Sequence, residues 1–256
     1  MCSMVAMKRI ASSILLGVLM IGSLGWIATE GAPRAEKEWK PKIKMTRLPV
    51  FPDSLIKLGI TRGRVQLVIV ISDEGSLVDW LATEATHREF ANSIAEVIET
   101  WDFEGARSLN EPRGEAFQLS IDFTAESTAR MTAGPYDMSD HVFGPEETYG
   151  SEAIRLATPS ELDGMPAPMK SVIPNIPSEI LGDNPKEAVF EFYINTDGSV
   201  HIPLLKSTET DLDERILLAA QNALWDWEFF PPTAKGKPVV VKASLPLVFS
   251  PKNKED

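Results

Sequence analysis

One ordered set of signals occurs twice in this chain, and that repetition limits its fold more than any single motif does. The clearer set runs from Ala188 to Phe249. It opens with Ala188-Val189-Phe190-Glu191-Phe192-Tyr193-Ile194, a period-two run that predicts a strand. Asn195-Thr196-Asp197-Gly198 is a turn, and a second extended run follows from Ser199 to Leu205. Leu212, Ile216, Ala219, Ala220, Ala223, Leu224 and Trp227 share one face of a helix. Trp227-Glu228-Phe229-Phe230-Pro231-Pro232, a Gly236-Lys237-Pro238 turn and a last strand from Val239 to Phe249 complete the unit.

The weaker copy runs from Leu48 to Phe123. Pro49-Val50-Phe51-Pro52 is its extended lead-in, matched later by Pro174-Asn175-Ile176-Pro177. Val65, Leu67, Ile69 and Ile71 alternate, with Val68 and Val70 making the opposite face apolar too, so this strand is expected to be covered on both sides. Ser72-Asp73-Glu74-Gly75 is a hairpin signal, and Leu77 to Thr83 the returning strand. Thr86-His87-Arg88-Glu89 has the form of a capping box for a helix whose buried face is Phe90, Ile94, Val97, Ile98 and Trp101. Phe117, Leu119, Ile121 and Phe123 then alternate with Gln118, Ser120 and Asp122. Glu74-Gly75 and Asp197-Gly198 lie 123 residues apart, and Trp101-Asp102-Phe103 and Trp227-Glu228-Phe229 lie 126 apart. Such order at nearly constant offset predicts a duplicated unit.

The expected fold class is therefore α+β: two small modules at 48–123 and 171–250, each an antiparallel sheet of about three strands on an amphipathic helix in ββαβ order. Between them, 124–170 has no sustained period, several Gly-Pro and Pro steps, and eight acidic residues against three basic. It is expected to be a long disordered linker, with at most a short helix near Glu152 to Ala157.

Residues 1–28 hold Lys8-Arg9 followed by the uncharged, largely apolar run from Ile10 to Ala28, a form shared by export signals and signal anchors. Met7 is a natural start for such a segment. Its 19 residues are just long enough to cross a bilayer, so both a cleaved signal and a retained anchor at 10–28 fit. Residues 29–47 are polar and read as a tether. The net charge of −12 argues against nucleic acid as a partner. Cys2 is the sole cysteine, so no intramolecular disulfide can form.

The ordered residues resemble the C-terminal domain of the energy transducer TonB. The first copy carries the resemblance in Phe51-Pro52, Gly63-Arg64-Val65-x-Leu67-x-Ile69, Asp73-Glu74-Gly75-x-Leu77 and Trp101-x-Phe103. The second carries it in Ile176-Pro177, Asp197-Gly198-x-Val200, Ala219-Ala220, Trp227-x-Phe229-x-Pro231 and Gly236-x-Pro238-Val239. The resemblance implies a periplasmic or cell-envelope protein, exported by its N-terminal signal and able to associate with the inner membrane through residues 10–28. It implies binding of a short extended segment of outer-membrane receptors, the TonB box, by strand addition, in energy-coupled transport. The residues it singles out are Val239, Val241, Ala243 and Leu245 on the last strand, with Ile176, Pro177, Phe51 and Pro52 in the lead-ins. In the first copy the matching edge is Glu115 to Phe123. Pro246 fits an edge, because proline cannot donate within a central ladder. The chain departs from the family in having two copies, no histidine in its apolar segment and no long Pro-rich spacer. The alternative is a secreted structural or adaptor protein whose domains no longer bind receptor boxes.

No catalytic constellation is visible. His87, His141 and His201 are scattered without ligand spacing and are expected at the surface. Asp211-Leu212-Asp213-Glu214 reads as a helix start. Trp101 and Trp227 read as core anchors. No enzyme activity, cofactor or metal is expected. Membrane fractionation of the expressed chain separates the two N-terminal readings: an anchored chain pellets with membranes, and a cleaved one is recovered shortened in the soluble fraction.

Overall fold

The alternating apolar runs become strands in both halves of the chain. The structure, a computed structural model, describes residues 42–105, 114–136, 149–150, 152–181, 184–208 and 212–250. The export or anchor segment, most of the tether, His141 and Asp211 lie outside these. In chain order the elements are β1 (Ile43–Lys44), α1 (Asp53–Lys57), β2 (Arg62–Ile71), β3 (Leu77–Ala85), α2 (Arg88–Ala95), β4 (Asp102–Phe103), β5 (Glu115–Thr124), β6 (Ser127–Pro135), β7 (Leu156–Ala157), β8 (Pro168–Lys170), α3 (Ser178–Leu181), β9 (Lys186–Ile194), β10 (Val200–Thr208), α4 (Glu214–Trp225), β11 (Glu228–Phe229), β12 (Thr233–Ala234), β13 (Lys237–Pro238) and β14 (Val240–Phe249). The class is α+β, with strand predominating.

Two sheets of four strands form, ordered β3-β2-β5-β6 and β10-β9-β14-β7. All their pairings are antiparallel except β14 with β7. In the first sheet Val65, Leu67, Ile69 and Ile71 are buried on one face and Val68 and Val70 on the other. Phe90, Ile94, Val97, Ile98 and Trp101 are all buried, although α2 ends at Ala95 and a 3-10 turn, Ile98–Thr100, carries the pattern onward. In the second, Phe190, Phe192 and Ile194 pack with Ile216, Ala220 and Leu224 of α4.

The same hydrogen-bonded details recur in each half. Gly75 N donates to Ser72 O, and Gly198 N to Asn195 O. β1 pairs with β4, and β8 with β11. Trp101 Nε1 donates to Arg47 O at 2.8 Å, and Trp227 Nε1 to Val172 O at 2.9 Å. Each tryptophan thus ties its lead-in segment to the end of its helix.

The stretch 124–170 does not behave as a linker where it is described. β6 follows β5 through the two-residue turn Ala125-Glu126 and pairs along most of it, from Thr124↔Ser127 to Phe117↔Pro135. The turn contains none of the Gly, Asn or Pro residues that mark hairpins, and β6 is only weakly apolar, so composition hides both. The expected helix at Glu152 to Ala157 is absent. Ile154 bridges Ala85 at the end of β3, and β7 pairs with Val240 and Val241 two residues later. This short segment stitches one sheet to the other, because each sheet end supplies the backbone partners it lacks. The sheets also share apolar packing: Tyr193, Ile202, Leu204 and Val240 belong to the core built on β2, and Trp39–Asp256 forms one compact unit. The expected separation into independent modules is corrected accordingly.

One capping expectation changes, and the helix start expected at Asp211 to Glu214 is found. Thr86 does not close a capping box; its Oγ1 accepts from Arg64 N, and His87 occupies the N-cap without a side-chain bond. Asp213 caps α4, accepting from Arg215 N at 2.9 Å.

Glycine matters most at Gly198. Its φ is +91°, and an added Cβ would lie 1.9 Å from Phe229 O. Gly236, φ +73°, has open space where its Cβ would go. Gly198→Ala is expected to lower stability in urea unfolding by about 2–4 kcal/mol, from left-handed strain plus the clash, and Gly236→Ala by about 1 kcal/mol from strain alone.

Candidate functional site

β14 is the strand that the sequence singles out, and its two flanks are unequal. On one side it pairs with β9 along its length, from Val241↔Ile194 to Phe249↔Lys186. On the other side β7 pairs with Val240 and Val241, and among the described residues no strand pairs with the stretch from Ala243 to Phe249.

The direction of its backbone groups follows from several independent contacts. Val240 N donates to Arg155 O, away from β9. Glu187, opposite Val248, has its carbonyl on the β10 side, where Thr208 Oγ1 donates to it at 3.0 Å. Pro246 has no N–H to give β9, which is tolerated only where its nitrogen faces outward. The two-residue alternation therefore turns the backbone groups of Lys242, Ser244, Pro246 and Val248 toward the open flank. Beyond β7 that leaves Ser244 and Val248 as outward donors with an interrupting proline between them.

The predicted site side chains face a different way. Val241 is buried, and Ala243 and Leu245 pack against the Phe190–Phe192 core. Val239 is buried with Ala157 and Ala234 beside the β12–β13 hairpin. These residues fix the strand to the domain; Ser244, Pro246 and Val248 are the exposed ones. The residues that the resemblance singles out on β14 are therefore the inward, apolar set. Ile176 packs on the same core as Ala243 and Leu245, while Pro177 is exposed. Phe51 sets its ring edge-on to Phe90 at 5.0 Å, and Phe90 lies 4.7 Å from Phe123. Pro52 starts α1, its carbonyl accepting from Leu55 N.

The first copy's matching edge is corrected. β5 is a central strand, flanked by β2 on one side and β6 on the other. The chain's own next segment occupies the position expected for an added peptide.

Asp79, on β3, is a polar residue that sequence reading missed. Its Oδ2 accepts from Ile202 N and from Trp225 Nε1, both at 2.8 Å, and its Oδ1 lies 2.9 Å from His201 Nδ1. His201 is thus a partner in the joint between the sheets and not a plain surface residue. Burial pushes the Asp79 carboxyl up, but the His201 contact and charge, with the Trp225 and Ile202 donors, outweigh it and hold it below its ordinary value. Ile202 has φ +54°, an outlier for a β-branched residue, and sits in the irregularity of β10 between His201 and Leu204. A lone aspartate in a strand carries no sequence signal for such a role.

Glu191 is a second buried acid, paired with Lys206 and lying 3.6 Å from Lys242 Nζ. Among the described residues no group of three or more His, Cys, Asp or Glu could hold a metal, and no helix is long and apolar enough to cross a membrane.

Asp79→Ala is expected to cost about 2–4 kcal/mol in denaturant unfolding, because it leaves buried donors without an acceptor. A carboxyl whose folded value lies below its unfolded value stabilises above the unfolded pKa and loses that contribution as pH falls through the folded one. The wild-type chain should therefore lose stability below about pH 4, and Asp79→Asn should flatten that slope in acid unfolding curves.

Comparison of the chain with protein-family models matches none, and comparison with curated proteins matches none either.

Proposed function

We propose that this is a non-enzymatic cell-envelope protein built from two tandem ββαβ modules of the TonB C-terminal type, and that it takes an extended peptide onto the free flank of β14. The peptide would be a short segment of an outer-membrane receptor, engaged in energy-coupled transport. The anchor or signal at 10–28 places the domain outside the inner membrane on this reading, and no cofactor or metal is required.

One observation carries the proposal: from Ala243 to Phe249 the outward flank of β14 has no strand partner among the described residues, while its other flank is paired with β9 throughout. Such a row of N–H and C=O groups is what strand addition uses. The duplicated module is supported by the recurrence of hairpin, tryptophan tie and two-stranded ribbon in both halves. The closing of β5 by β6 favours one peptide per chain. It also favours the second reading, a structural adaptor whose sheets pair within the chain.

Ser244→Pro and Val248→Pro test this. Each removes one outward N–H without touching the pairing to β9. Saturable binding of receptor plug-region peptides, followed by fluorescence anisotropy, should weaken about tenfold in each variant and be lost in the double variant, with unfolding midpoints little changed. Absence of binding by the wild-type chain to any extended receptor segment would leave the adaptor reading.

A further inference from the structure

A cleft of about 420 Å³ lies between the segment leading into β7 and the β12–β13 hairpin. Tyr149, Ala153, Arg155, Lys235, Lys237 and Val239 are among its lining. That size falls within the roughly 300–1,000 Å³ of small-ligand pockets. Its position is separate from the open part of β14, because β7 covers Val240 and Val241 between them.

Its charge is the informative feature. The chain carries −12, yet among the described residues three cationic side chains and no carboxylate line this cleft. Arg155 stacks over the Tyr149 ring, 5.8 Å from its centroid, and gives one contact to Glu161 at 3.2 Å. The acceptors of Glu161 are largely used by Thr158, whose N–H and hydroxyl both donate to Oε2. Among the described residues Lys235 and Lys237 have no ion-pair partner.

The hairpin tip that carries them is held in a costly shape. Lys235 has φ +53°, a conformation better suited to glycine or asparagine. Asp163 fixes it there, its carboxylate accepting from Lys235 N at 2.9 Å and from Gly236 N at 2.8 Å. The carboxylate is spent on backbone N–H groups and does not reach across to neutralise either ammonium. Strain of this kind, maintained by a dedicated clamp, gathers at binding sites.

We propose that this cleft binds a small polyanion, a ligand with two or more carboxylate or phosphate groups, held by Arg155, Lys235 and Lys237 with Tyr149 as one wall. Arg155 supplies a planar fork for one anionic group and the lysines supply point charges for another. The site is independent of the peptide flank on β14.

Isothermal titration of the purified full chain at low salt tests it, with tricarballylate in one arm and pyrophosphate in the other. Saturable binding in either arm, weakening as salt is raised, is expected, and the arm that binds assigns the anionic group. Lys235→Gly keeps the turn geometry while removing the charge, so it leaves the fold intact. It and Lys237→Gln should each weaken binding about tenfold, and Lys57→Gln, on α1, should not. No saturable binding in either arm at millimolar ligand overturns the proposal. So does binding that persists in the Lys235→Gly/Lys237→Gln double variant. Neither result bears on peptide binding at β14, which the proline variants read separately.

Discussion

One carboxylate holds the two sheets in register. Asp79 projects from β3 in the first half and accepts from Ile202 N and Trp225 Nε1 in the second, with His201 beside it. The donors come from the bulge of β10 and from the last residue of α4, so a single side chain ties strand, bulge and helix to a foreign sheet. Its cost is the burial of a charge, which is met by the His201 ring and by two neutral N–H donors in good geometry. Its return is the conformation of Ile202. A β-branched residue at positive φ costs about 1–3 kcal/mol and persists only where its surroundings fix it. Here the N–H that such a bulge turns out of the ladder finds an acceptor, and the side chain finds the shared core.

The two sheets manage their edges differently. A free edge invites unwanted pairing, and each strand that closes one removes a site. β6 closes β5 by a tight hairpin along most of its length. β7 does far less for β14. It pairs at two positions, then turns away at Thr158 into the 3-10 turn Pro159–Glu161, whose capping box fixes the departure. Upstream of β7, Ile154 is bonded to Ala85 at the end of β3, so the segment reaches β14 from the first sheet. The flank of β14 opens where the chain turns away at Thr158, and Pro246 with the exposed Val248 keeps it from being an uninterrupted ladder.

The elements with strong local patterns were legible. Period two marked β2, β5 and β9, helical spacing marked α2 and α4, and Asp-Gly and Glu-Gly marked the hairpins. The tryptophans proved to be ties as well as core, their indole N–H groups bonded to Arg47 and Val172. What stayed hidden was whatever depended on a partner elsewhere in the chain. β6 and β7 are strands because β5 and β14 offer edges, and neither has enough apolar residues to announce itself. Asp79 and His201, 122 residues apart, have no local reason to be noticed. The site side chains turned out to face inward for a related reason: Val241, Ala243 and Leu245, which the resemblance singles out, are apolar, and apolar residues on a half-covered strand point inward. The outward face is written in Ser244, Pro246 and Val248, where only the proline is a signal.

Among the described residues Ile202 and Lys235 are the non-glycine positions at positive φ, and they follow one rule and differ in what it achieves. Each gives its backbone N–H to an aspartate from a distant segment, Asp79 and Asp163. At Ile202 the side chain is almost fully buried, and the strain is absorbed into the joint between sheets. At Lys235 the side chain is exposed, and the hairpin tip packs against nothing that would need a lysine. A glycine there would make the same turn with less strain. The structural need explains the first outlier in full and leaves the second without a packing reason. The difference between them turns on the side chain alone: what Lys235 adds to the tip is a charge, set beside Lys237 and Arg155 at the mouth of a cleft.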